Sequence, residues 1–371
     1  MAKNGKENGT NSGMNKAQNL MDKLLKNSTI KLTSPLIDTT IINEADPIPT
    51  KIPMLNLALS GKLKGGSLPG IVQLCGCSKT FKSSFALTLA SSFLDSDPNA
   101  IVVFFDSEFG TRKEYFEAFG CDISRILWVP FQDIEELTFE YVKQLDSITE
   151  DDKVMFVCDS LGLSSSKRER ENIENQLSKT DLSRPKAIRA LFRTITPKIL
   201  LKKKHAIFIN HIYMTLETYA QVQISGGEGS ILASNTILVI TKRKAKDGED
   251  HVGYEFVLKV FKSRCIRDNV SIPIRVTFEG GIANYSGLSV LAESLGIISK
   301  GRDGRSGAYI YNSLSGEQVK SLFRDVDSDE EFWELIFKET DLEYQIENMY
   351  KLGSTEKIDV EPEIDMKLAD E

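Results

Sequence analysis

The stretch Cys75–Ser84, CGCSKTFKSS, decides the fold of this chain. It lies between an apolar run, Ile71–Cys75, and a helical pattern, Phe85–Phe93. In a strand–loop–helix context, the pattern G-x-x-x-x-G-K-[ST] binds phosphate, because backbone N–H groups and the helix dipole face the same space. The stretch therefore predicts a nucleotide site made of Gly76, Cys77, Ser78, Lys79, Thr80, Phe81, Lys82, Ser83 and Ser84.

Three residues of this loop need separate comment. Lys82 is expected to reach the β- and γ-phosphates, and the Ser83 hydroxyl to ligate Mg²⁺. Phe81 stands where the pattern has its second glycine. We expect it to have an undemanding backbone angle and an outlet for its ring. For the motif alone, a polar loop that holds a lysine remains the alternative.

Composition sets the broad class of the protein. The chain has 371 residues, of which 41% are hydrophobic, enough for one sizeable core and a small appendage. No apolar run is long enough to cross a bilayer, and the N-terminus has no signal-peptide pattern, so we predict a soluble protein without membrane association. Five cysteines and three histidines show no zinc-site spacing, which fits a reducing cytoplasm.

The charge is unevenly distributed. The net charge is −7, but residues 325–371 contain 17 Asp and Glu against four Lys, so the rest of the chain carries +6. A mildly basic body with an acidic tail is compatible with nucleic-acid binding that the tail limits. A tail that serves solubility explains the pattern equally well.

The middle of the chain predicts an α/β fold. Apolar runs alternate with helical patterns, which indicates a mostly parallel sheet covered on both faces. The predicted strands are Ile71–Cys75, Ile101–Phe105, Ile126–Val129, Val154–Cys158 and Ala206–Ile209. The predicted helices are Ser83–Phe93, Lys113–Phe119, Ile134–Leu145 and Lys186–Leu201.

The flanking regions complete the predicted organisation. Residues 1–50 are expected to form a disordered tail (1–14), an amphipathic helix at Lys16–Lys26 and an irregular arm for oligomerisation. After Ser234, three β-rich segments around an Asp247-Gly248 hairpin are expected to extend the sheet with antiparallel strands. The core then spans 51–285, a small helical C-terminal domain 286–352, and an acidic tail 353–371.

Polar residues follow three of the predicted strands. Asp159 ends VMFVCD, Glu108 follows FFDS, and Asn210-His211 follow AIFI. Ligands gather beyond the carboxyl ends of parallel strands, so Asp159 is expected to hold Mg²⁺, Glu108 to orient or deprotonate a water, and His211 to sense the γ-phosphate. Helix caps or a satisfied histidine would explain each residue singly. Together with the phosphate loop they predict an ATPase.

The ordered motifs GCSKTFKSS, FFDSEFG, VCDSLG, FINH, SGGEGS and VFKSR resemble the RecA family. The resemblance covers about residues 51–285 and is strongest to UvsX-type recombinases of tailed phages, which also have an aromatic residue at the second glycine position. It implies an ATP- and Mg²⁺-dependent protein that forms helical filaments on single-stranded DNA and exchanges strands with duplex DNA. The implied location is cytoplasmic, and that of the host if the chain comes from a phage.

The resemblance also implies roles for individual residues. Glu108 matches the catalytic glutamate, and Tyr115 matches an aromatic residue that stacks on adenine, although Arg112 stands where an acidic residue is often found. His211 takes the place of an ATP-sensing residue. Lys262 and Arg264 match a basic pair that reaches the γ-phosphate of the neighbouring subunit; a solvated strand edge is the alternative. Further implied partners are a single-strand-binding protein and a loader.

Two loops are expected to contact DNA. The first spans about 162–179 and the second about 212–229, where apolar side chains can insert between bases and glycines allow phosphate to approach. A basic segment at 242–246 is expected to add phosphate contacts, or else to be a solvated hairpin. The predicted DNA-binding residues are Lys167, Arg168, Arg170, Met214, Tyr219, Gly226, Gly227, Lys242 and Arg243.

Two other functions remain possible on the sequence. A hexameric helicase or switch ATPase shares this fold, although such helicases usually have a larger N-terminal domain than the roughly 50 residues before this core. A structural filament or mediator that does not hydrolyse ATP would have no need for Lys82, Ser83, Glu108 and Asp159 together.

Overall fold

The computed structural model describes residues 8–39, 47–175, 183–214, 222–247, 250–304 and 306–352. The chain divides into two compact units, Met1–Ala45 and Asp46–Glu371. Within the described ranges, no helix combines the length and apolar character that a bilayer span requires.

The first unit contains one long helix, α1 (Asn8–Asn27). Leu20, Met21 and Leu24 lie on it and are exposed. The expected disorder of residues 1–14 is wrong from Asn8 onward, because helical hydrogen bonds are local and do not require an apolar side chain at every turn. Residues 1–7 lie outside the described part of the chain.

The second unit begins with a helix that the sequence did not predict, α2 (Pro53–Ser60). Pro53 is its first helical residue, a position that needs no hydrogen-bonded N–H. The helix ends at Gly61, whose φ of 77° is the left-handed conformation common at helix ends.

The predicted central strands and helices are present, mostly with boundaries that differ by a few residues. Five short elements were not predicted: Lys167–Glu174, Ile212–Met214, Val222–Ile224, Glu228–Ala233 and Gly281–Ile282. In chain order, the central elements are β1 (Gly70–Gly76), α3 (Lys82–Ser96), β2 (Ile101–Asp106), α4 (Lys113–Ala118), β3 (Ile126–Pro130), α5 (Ile134–Asp146), β4 (Val154–Asp159), α6 (Lys167–Glu174), α7 (Ser183–Leu201), β5 (His205–Asn210), β6 (Ile212–Met214), β7 (Val222–Ile224), α8 (Glu228–Ala233), β8 (Thr236–Asp247), β9 (Asp250–Ser263), β10 (Ser271–Thr277) and β11 (Gly281–Ile282).

Nine of these strands form one sheet in the order β11-β10-β9-β8-β1-β5-β4-β2-β3. The six strands from β8 to β3 are parallel, and β9, β10 and β11 extend the sheet in antiparallel fashion. The extension therefore begins one strand later than predicted, because β8 pairs parallel to β1. The carboxyl ends of β1, β2, β4 and β5 consequently meet at one edge.

Both faces of the sheet are apolar, as the continuous hydrophobic runs predicted. Side chains of alternating residues point to opposite faces, so one cluster packs under α3 and the other under α5 and α7. Leu74, Phe104 and Val157 belong to the first cluster, whereas Phe105 and Phe208 belong to the second. This double burial holds the strand ends in fixed positions.

The C-terminal region is less helical than predicted. Its elements are α9 (Leu288–Ser294), β12 (Ser299–Asp303), β13 (Ser306–Asn312), β14 (Gln318–Leu322), α10 (Glu330–Glu339) and α11 (Leu342–Tyr350). The three strands form an antiparallel sheet. β12 has the sequence SKGRD and buries none of its residues, so it has no apolar alternation that would reveal a strand.

The C-terminal helices pack on the same hydrophobic cluster as α3. Trp333 is fully buried in it, and its indole N–H donates to the Val326 carbonyl at 2.7 Å. The predicted domain boundary at residue 285 stays a prediction, and the acidic tail 353–371 lies outside the described residues.

Candidate nucleotide site and neighbouring loops

The phosphate loop, residues 76–81, connects β1 to α3 in the predicted way. A Cβ on Gly76 would lie 2.5 Å from Thr80 Oγ1 and 2.6 Å from the Ile240 carbonyl oxygen, so only glycine fits there. Thr80 Oγ1 donates to the Cys77 carbonyl at 2.9 Å and closes the turn. Ser78 and Lys79 line the mouth of the loop, where the first N–H groups of α3 lack helical partners.

Phe81 differs from its prediction in one respect. Its φ is 66°, the left-handed conformation, so the expected undemanding backbone angle is wrong. The phosphate loop imposes this angle, which a glycine adopts freely and other residues at a cost of about 1–2 kcal/mol. The expected outlet for the ring exists, because the ring stacks on Phe256 at a centroid distance of 4.9 Å and contacts Phe85 and Phe119 edge-on. Ring packing offsets the backbone strain.

Lys82, Ser83 and Asp159 converge at the start of α3. Ser83 Oγ donates to Asp159 Oδ2 at 2.7 Å, and Lys82 Nζ donates to the Cys77 carbonyl at 2.6 Å. Neighbouring ligands of an octahedral Mg²⁺ lie about 3 Å apart, since its bonds are about 2.0–2.1 Å long. The hydroxyl and carboxylate oxygens of Ser83 and Asp159 therefore suit Mg²⁺ in both type and spacing.

The charges of this cluster are strongly perturbed. Burial raises the pKa of Asp159 from 3.8 to about 6, the Ser83 hydrogen bond opposes this rise, and the negative charge of Glu108 adds to it. Burial lowers the pKa of Lys82, while the carboxylate of Asp159 opposes that shift. A buried group with a shifted pKa in a cleft is typical of functional sites.

Glu108 lies at the same edge, where β2 ends. Ser160 Oγ donates to Glu108 Oε1 at 2.8 Å and fixes the direction of the carboxylate. Asp106, which is buried, accepts the N–H of Glu108 at 3.0 Å and so fixes its backbone. The sequence analysis missed Asp106 and Ser160, although both occur within the quoted motifs.

His211 follows β5 and faces the same cavity. Burial lowers its pKa, and the positive charge of Lys82 lowers it further, so the imidazole is neutral at pH 7. Asn210, predicted beside it, does not face the cavity. It is fully buried, where its Nδ2 donates to Gln73 Oε1 at 3.1 Å and to the Ser225 carbonyl at 2.8 Å. Asn210 thus supports the strand end.

Tyr115, on α4, lines the cavity from the other side and is 38% exposed. Its hydroxyl forms a hydrogen bond with Ser84 Oγ on α3, and its ring packs edge-on against Phe119. The ring therefore has a fixed position beside the phosphate loop, as a stacking partner for a base requires. Arg112, three residues earlier, is exposed.

The cavity encloses about 360 Å³ and has an open side. Eleven of its twelve lining residues were predicted as site residues: Ser78, Lys79, Thr80, Phe81, Lys82, Ser83, Ser84, Glu108, Tyr115, Asp159 and His211. The twelfth, Ile209, was not predicted. The structure therefore brings the predicted nucleotide-site residues together around one cleft.

The pair Lys262 and Arg264 does not line this cavity. Lys262 on β9 pairs with Ile237 on β8, and Ile237 pairs with Gln73 on β1. Lys262 therefore lies two strands across the sheet from β1 and level with a residue three positions before Gly76. That separation is about 14 Å. Lys262 Nζ donates to the carbonyls of Ile231 at 2.7 Å and Leu232 at 3.1 Å at the end of α8.

The first predicted DNA loop contains a helix. Ser166 and Glu169 form a capping box at the start of α6, a pattern visible in the sequence as S-x-x-E. Lys167 and Arg168 on this helix are exposed. Arg170 is instead directed inward, where its guanidinium pairs with buried Asp133 at 3.1 Å. Lys167 and Arg168 are thus better placed than Arg170 to meet a phosphate.

The second predicted DNA loop begins and ends as a β-ladder, because β6 pairs antiparallel to β7. Residues 215–221, including Tyr219, and the side chain of Met214 lie outside the described residues. Gly226 and Gly227 both have positive φ values, 93° and 75°. A Cβ on Gly226 would meet Ile188 of α7 at 2.8 Å, whereas Gly227 has nothing within 4 Å. Only Gly227 leaves its backbone open to an approaching ligand.

The basic segment of β8 contacts the neighbouring strand. Lys242 Nζ lies 5.0 Å from the centre of the Tyr254 ring, and Arg243 forms an ion pair with Glu255. Both side chains remain exposed at their tips, as does Lys244. The predicted alternatives, phosphate contact and a solvated hairpin, both fit this arrangement.

Comparison with known proteins gives the family. The model of the RecA N-terminal domain matches residues 17–283. The chain is also 39% identical over 350 residues to the recombination and repair protein of Enterobacteria phage T4, and the match covers 93% of this chain and 90% of that protein. A family match of this extent agrees with the strand order, the phosphate loop and the cavity. The chain belongs to the RecA family.

Proposed function

We propose that this chain is an ATP-dependent recombination and repair protein that forms helical filaments on single-stranded DNA and exchanges strands with duplex DNA. Membership of the RecA family supports this function, as does similarity to a phage protein named for recombination and repair. The observation that carries the proposal is the single cleft that gathers Lys82, Ser83, Glu108, Asp159 and His211.

Each residue of the cleft has a chemical role in the proposal. Lys82 and the N–H groups of the phosphate loop bind the phosphates, and Glu108, directed by Ser160, orients and deprotonates the attacking water. Ser83 and Asp159 hold Mg²⁺, which neutralises charge on the phosphate oxygens when bound. Neutral His211 can donate a hydrogen bond to the γ-phosphate and so distinguish ATP from ADP.

Hydrolysis is completed, in this proposal, by a second copy of the chain. Lys262 and Arg264 lie about 14 Å or more from Gly76 in register, so they do not serve the phosphate loop of their own chain. A cation supplied by a neighbour stabilises charge in phosphoryl transfer and makes turnover depend on assembly. A head-to-tail contact of this kind propagates as an open helix.

The two loops and the basic segment of β8 supply the proposed DNA surface. Lys167, Arg168 and Lys242 are cations that do not depend on a buried carboxylate, and Gly227 leaves backbone N–H groups open to phosphate. Binding of this type does not depend on base sequence. The exposed apolar face of α1 supports docking of that helix on an adjacent copy.

The proposal is tested by measuring ATP hydrolysis with and without single-stranded DNA, and by negative-stain electron microscopy of the same samples. We expect DNA-dependent turnover and helical filaments. Turnover that ignores DNA, together with closed rings, would instead identify a helicase-like or switch ATPase of the same fold.

A further inference from the structure

Arg184, the second residue of α7, joins the bases of the two loops. Its Nε donates to the Ser164 carbonyl at 2.7 Å. Its Nη2 lies 2.9 Å from each of three acceptors, the carbonyls of Leu161 and Gly162 and the hydroxyl of Ser225. The carbonyls of Leu161, Gly162 and Ser164 lie at the start of the first loop. Ser225 follows β7, in the last part of the second loop. One rigid guanidinium thus holds two segments together.

Ser225 connects this contact to the nucleotide cleft. Its N–H donates to the His211 carbonyl at 2.9 Å, and its own carbonyl accepts from Asn210 Nδ2 at 2.8 Å. A shift of Ser225 therefore pulls on the backbone of His211, the residue proposed to sense the γ-phosphate.

Gly162 gives a second connection to the same histidine. A Cβ on Gly162 would lie 1.8 Å from His211 Cδ2, so the imidazole packs directly against the backbone of residue 162. The segment 161–164 is consequently held between Arg184 on one side and His211 on the other. This close packing is the physical reason why glycine stands at 162.

Within the part of the chain that the structure describes, the partners of Arg184 are all neutral. Among the ion pairs of the described residues, none includes Arg184. The guanidinium bonds neutral acceptors at these four atoms, and a DNA phosphate that enters between the loops can compete for the same N–H groups, because a charged acceptor forms the stronger hydrogen bond. Its position is therefore sensitive to an anion at the loops.

We propose that Arg184 is the positioning residue that transmits DNA binding at the two loops to His211 in the nucleotide cleft. This inference rests on the proposed function, because it assumes that both loops contact DNA. Arg184 acts by holding residues 161–164 and Ser225 in one arrangement, which fixes where the imidazole stands relative to the γ-phosphate. It does not itself touch the nucleotide.

The main test compares Arg184→Lys and Arg184→Met with wild type in steady-state ATP hydrolysis, with and without saturating single-stranded DNA. We expect DNA stimulation to fall about tenfold in the Met variant, within the usual range of coupling between sites. Turnover without DNA and the KM for ATP are expected to change less than about twofold. Lysine keeps the charge but lacks the planar fork, so Arg184→Lys is expected to restore stimulation only in part.

The control variant is Lys198→Met, on the same helix, where Lys198 pairs with Asp146 at the surface. It is expected to behave as wild type. DNA affinity is measured in parallel with a fluorescent oligonucleotide. A loss of affinity equal to the loss of stimulation would make Arg184 a simple DNA ligand and overturn the proposal, as would an equal fall in turnover without DNA.

A second variant tests the connection without changing Arg184. Gly162→Ala places a methyl group against the imidazole and is expected to reduce DNA stimulation as Arg184→Met does. The double variant is expected to lose no more than either single variant, because coupled residues are not additive. Additive losses would overturn the proposal. Wild type without any DNA-dependent hydrolysis would overturn the proposed function itself, which is a separate result.

Discussion

The nucleotide cleft and the C-terminal end of β9 differ in burial: Lys82 and Asp159 of the cleft are buried and hydrogen-bonded, whereas the end of β9 presents an exposed cation. In the cleft, Ser83, Asp159 and Glu108 are hydrogen-bonded within one chain, and burial shifts the pKa values of Lys82 and Asp159. At the end of β9, Arg264 is exposed. A cleft is preorganised at a cost in stability, whereas an exposed cation costs little until a partner arrives. In the proposed reaction, one chain alone thus provides the site that binds the nucleotide, and the cation of Arg264 acts only when a second copy is present.

The largest expected effect comes from Lys82→Ala. Loss of the ammonium group removes the cation that neutralises phosphate charge inside the cleft, so turnover is expected to fall at least about 1,000-fold. The measurement is DNA-stimulated ATP hydrolysis. The control is Lys143→Ala, an exposed lysine of α5. Turnover retained in Lys82→Ala would show that the cleft has been assigned to the wrong residues.

Arg264→Ala tests the other side of the comparison. Turnover is expected to fall about 100- to 1,000-fold without loss of ATP binding, because in the proposed reaction the cation acts on the phosphate of a neighbour. An equal mixture of Arg264→Ala and Lys82→Ala proteins is expected to recover about a quarter of wild-type turnover, since one interface in four then combines two intact halves. If mixed filaments form but turnover does not recover, Lys82 and Arg264 must act in the site of the same chain.

Asp159→Asn is expected to stabilise the protein while it abolishes Mg²⁺-dependent nucleotide binding. The raised pKa of Asp159, about 6 against 3.8, means that the folded state binds the proton more tightly than the unfolded state. The stability that protonation of Asp159 contributes is therefore lost as the pH rises through 6. Without Mg²⁺, the free energy of unfolding of Asp159→Asn is expected to exceed that of wild type by about 1–2 kcal/mol at pH 8 and by little at pH 4. Urea unfolding of both proteins at pH 4 and pH 8 measures this difference in the free energy of unfolding.

For the wild-type protein, the same pKa predicts that Mg²⁺–nucleotide affinity weakens below pH 6, because the metal requires the ionised carboxylate. An affinity that stays constant between pH 5 and 8 would contradict this assignment.

The smallest expected effect concerns Phe81, which links the two regions because its ring stacks on Phe256 of β9. Phe81→Ala and Phe81→Gly both remove the ring, but only glycine adopts the φ of 66° without strain. Phe81→Gly is therefore expected to be more stable than Phe81→Ala by about 1 kcal/mol, although both are less stable than wild type. An alanine variant as stable as the glycine variant would show that the loop relaxes.

Prediction from sequence succeeded where the physical cause is local. The apolar runs, the helical periodicity and the phosphate-loop pattern are properties of adjacent residues, and the strands and helices that were predicted between Gly70 and Asn210 appeared close to their predicted boundaries. Prediction from sequence failed where a strand exists only because it pairs with a neighbouring strand. β12 has no apolar alternation and exists as a strand because β13 lies beside it. The helix α6 was taken for a loop although its capping box was visible.

The candidate site divides in the same way. Lys82, Ser83, Glu108, Asp159 and His211 could be selected from sequence, because polar residues at the ends of parallel strands must share one edge. Arg184 and Ser160 could not, since their importance lies in hydrogen bonds to backbone and side chains that are distant in the chain. Asp106 was missed although it bonds the nearby N–H of Glu108. Arg170 was chosen for its charge, but Asp133 holds it inward.

The order of residues alone determined that this chain folds as a RecA-like sheet with a phosphate loop, because strand and helix periodicities, turn chemistry and motif spacing are encoded along the chain. Only the tertiary structure decided how Phe81 tolerates its backbone angle, why Gly162 is small and what Arg184 holds together. Those features depend on the approach of residues far apart in sequence, and packing in three dimensions sets that approach.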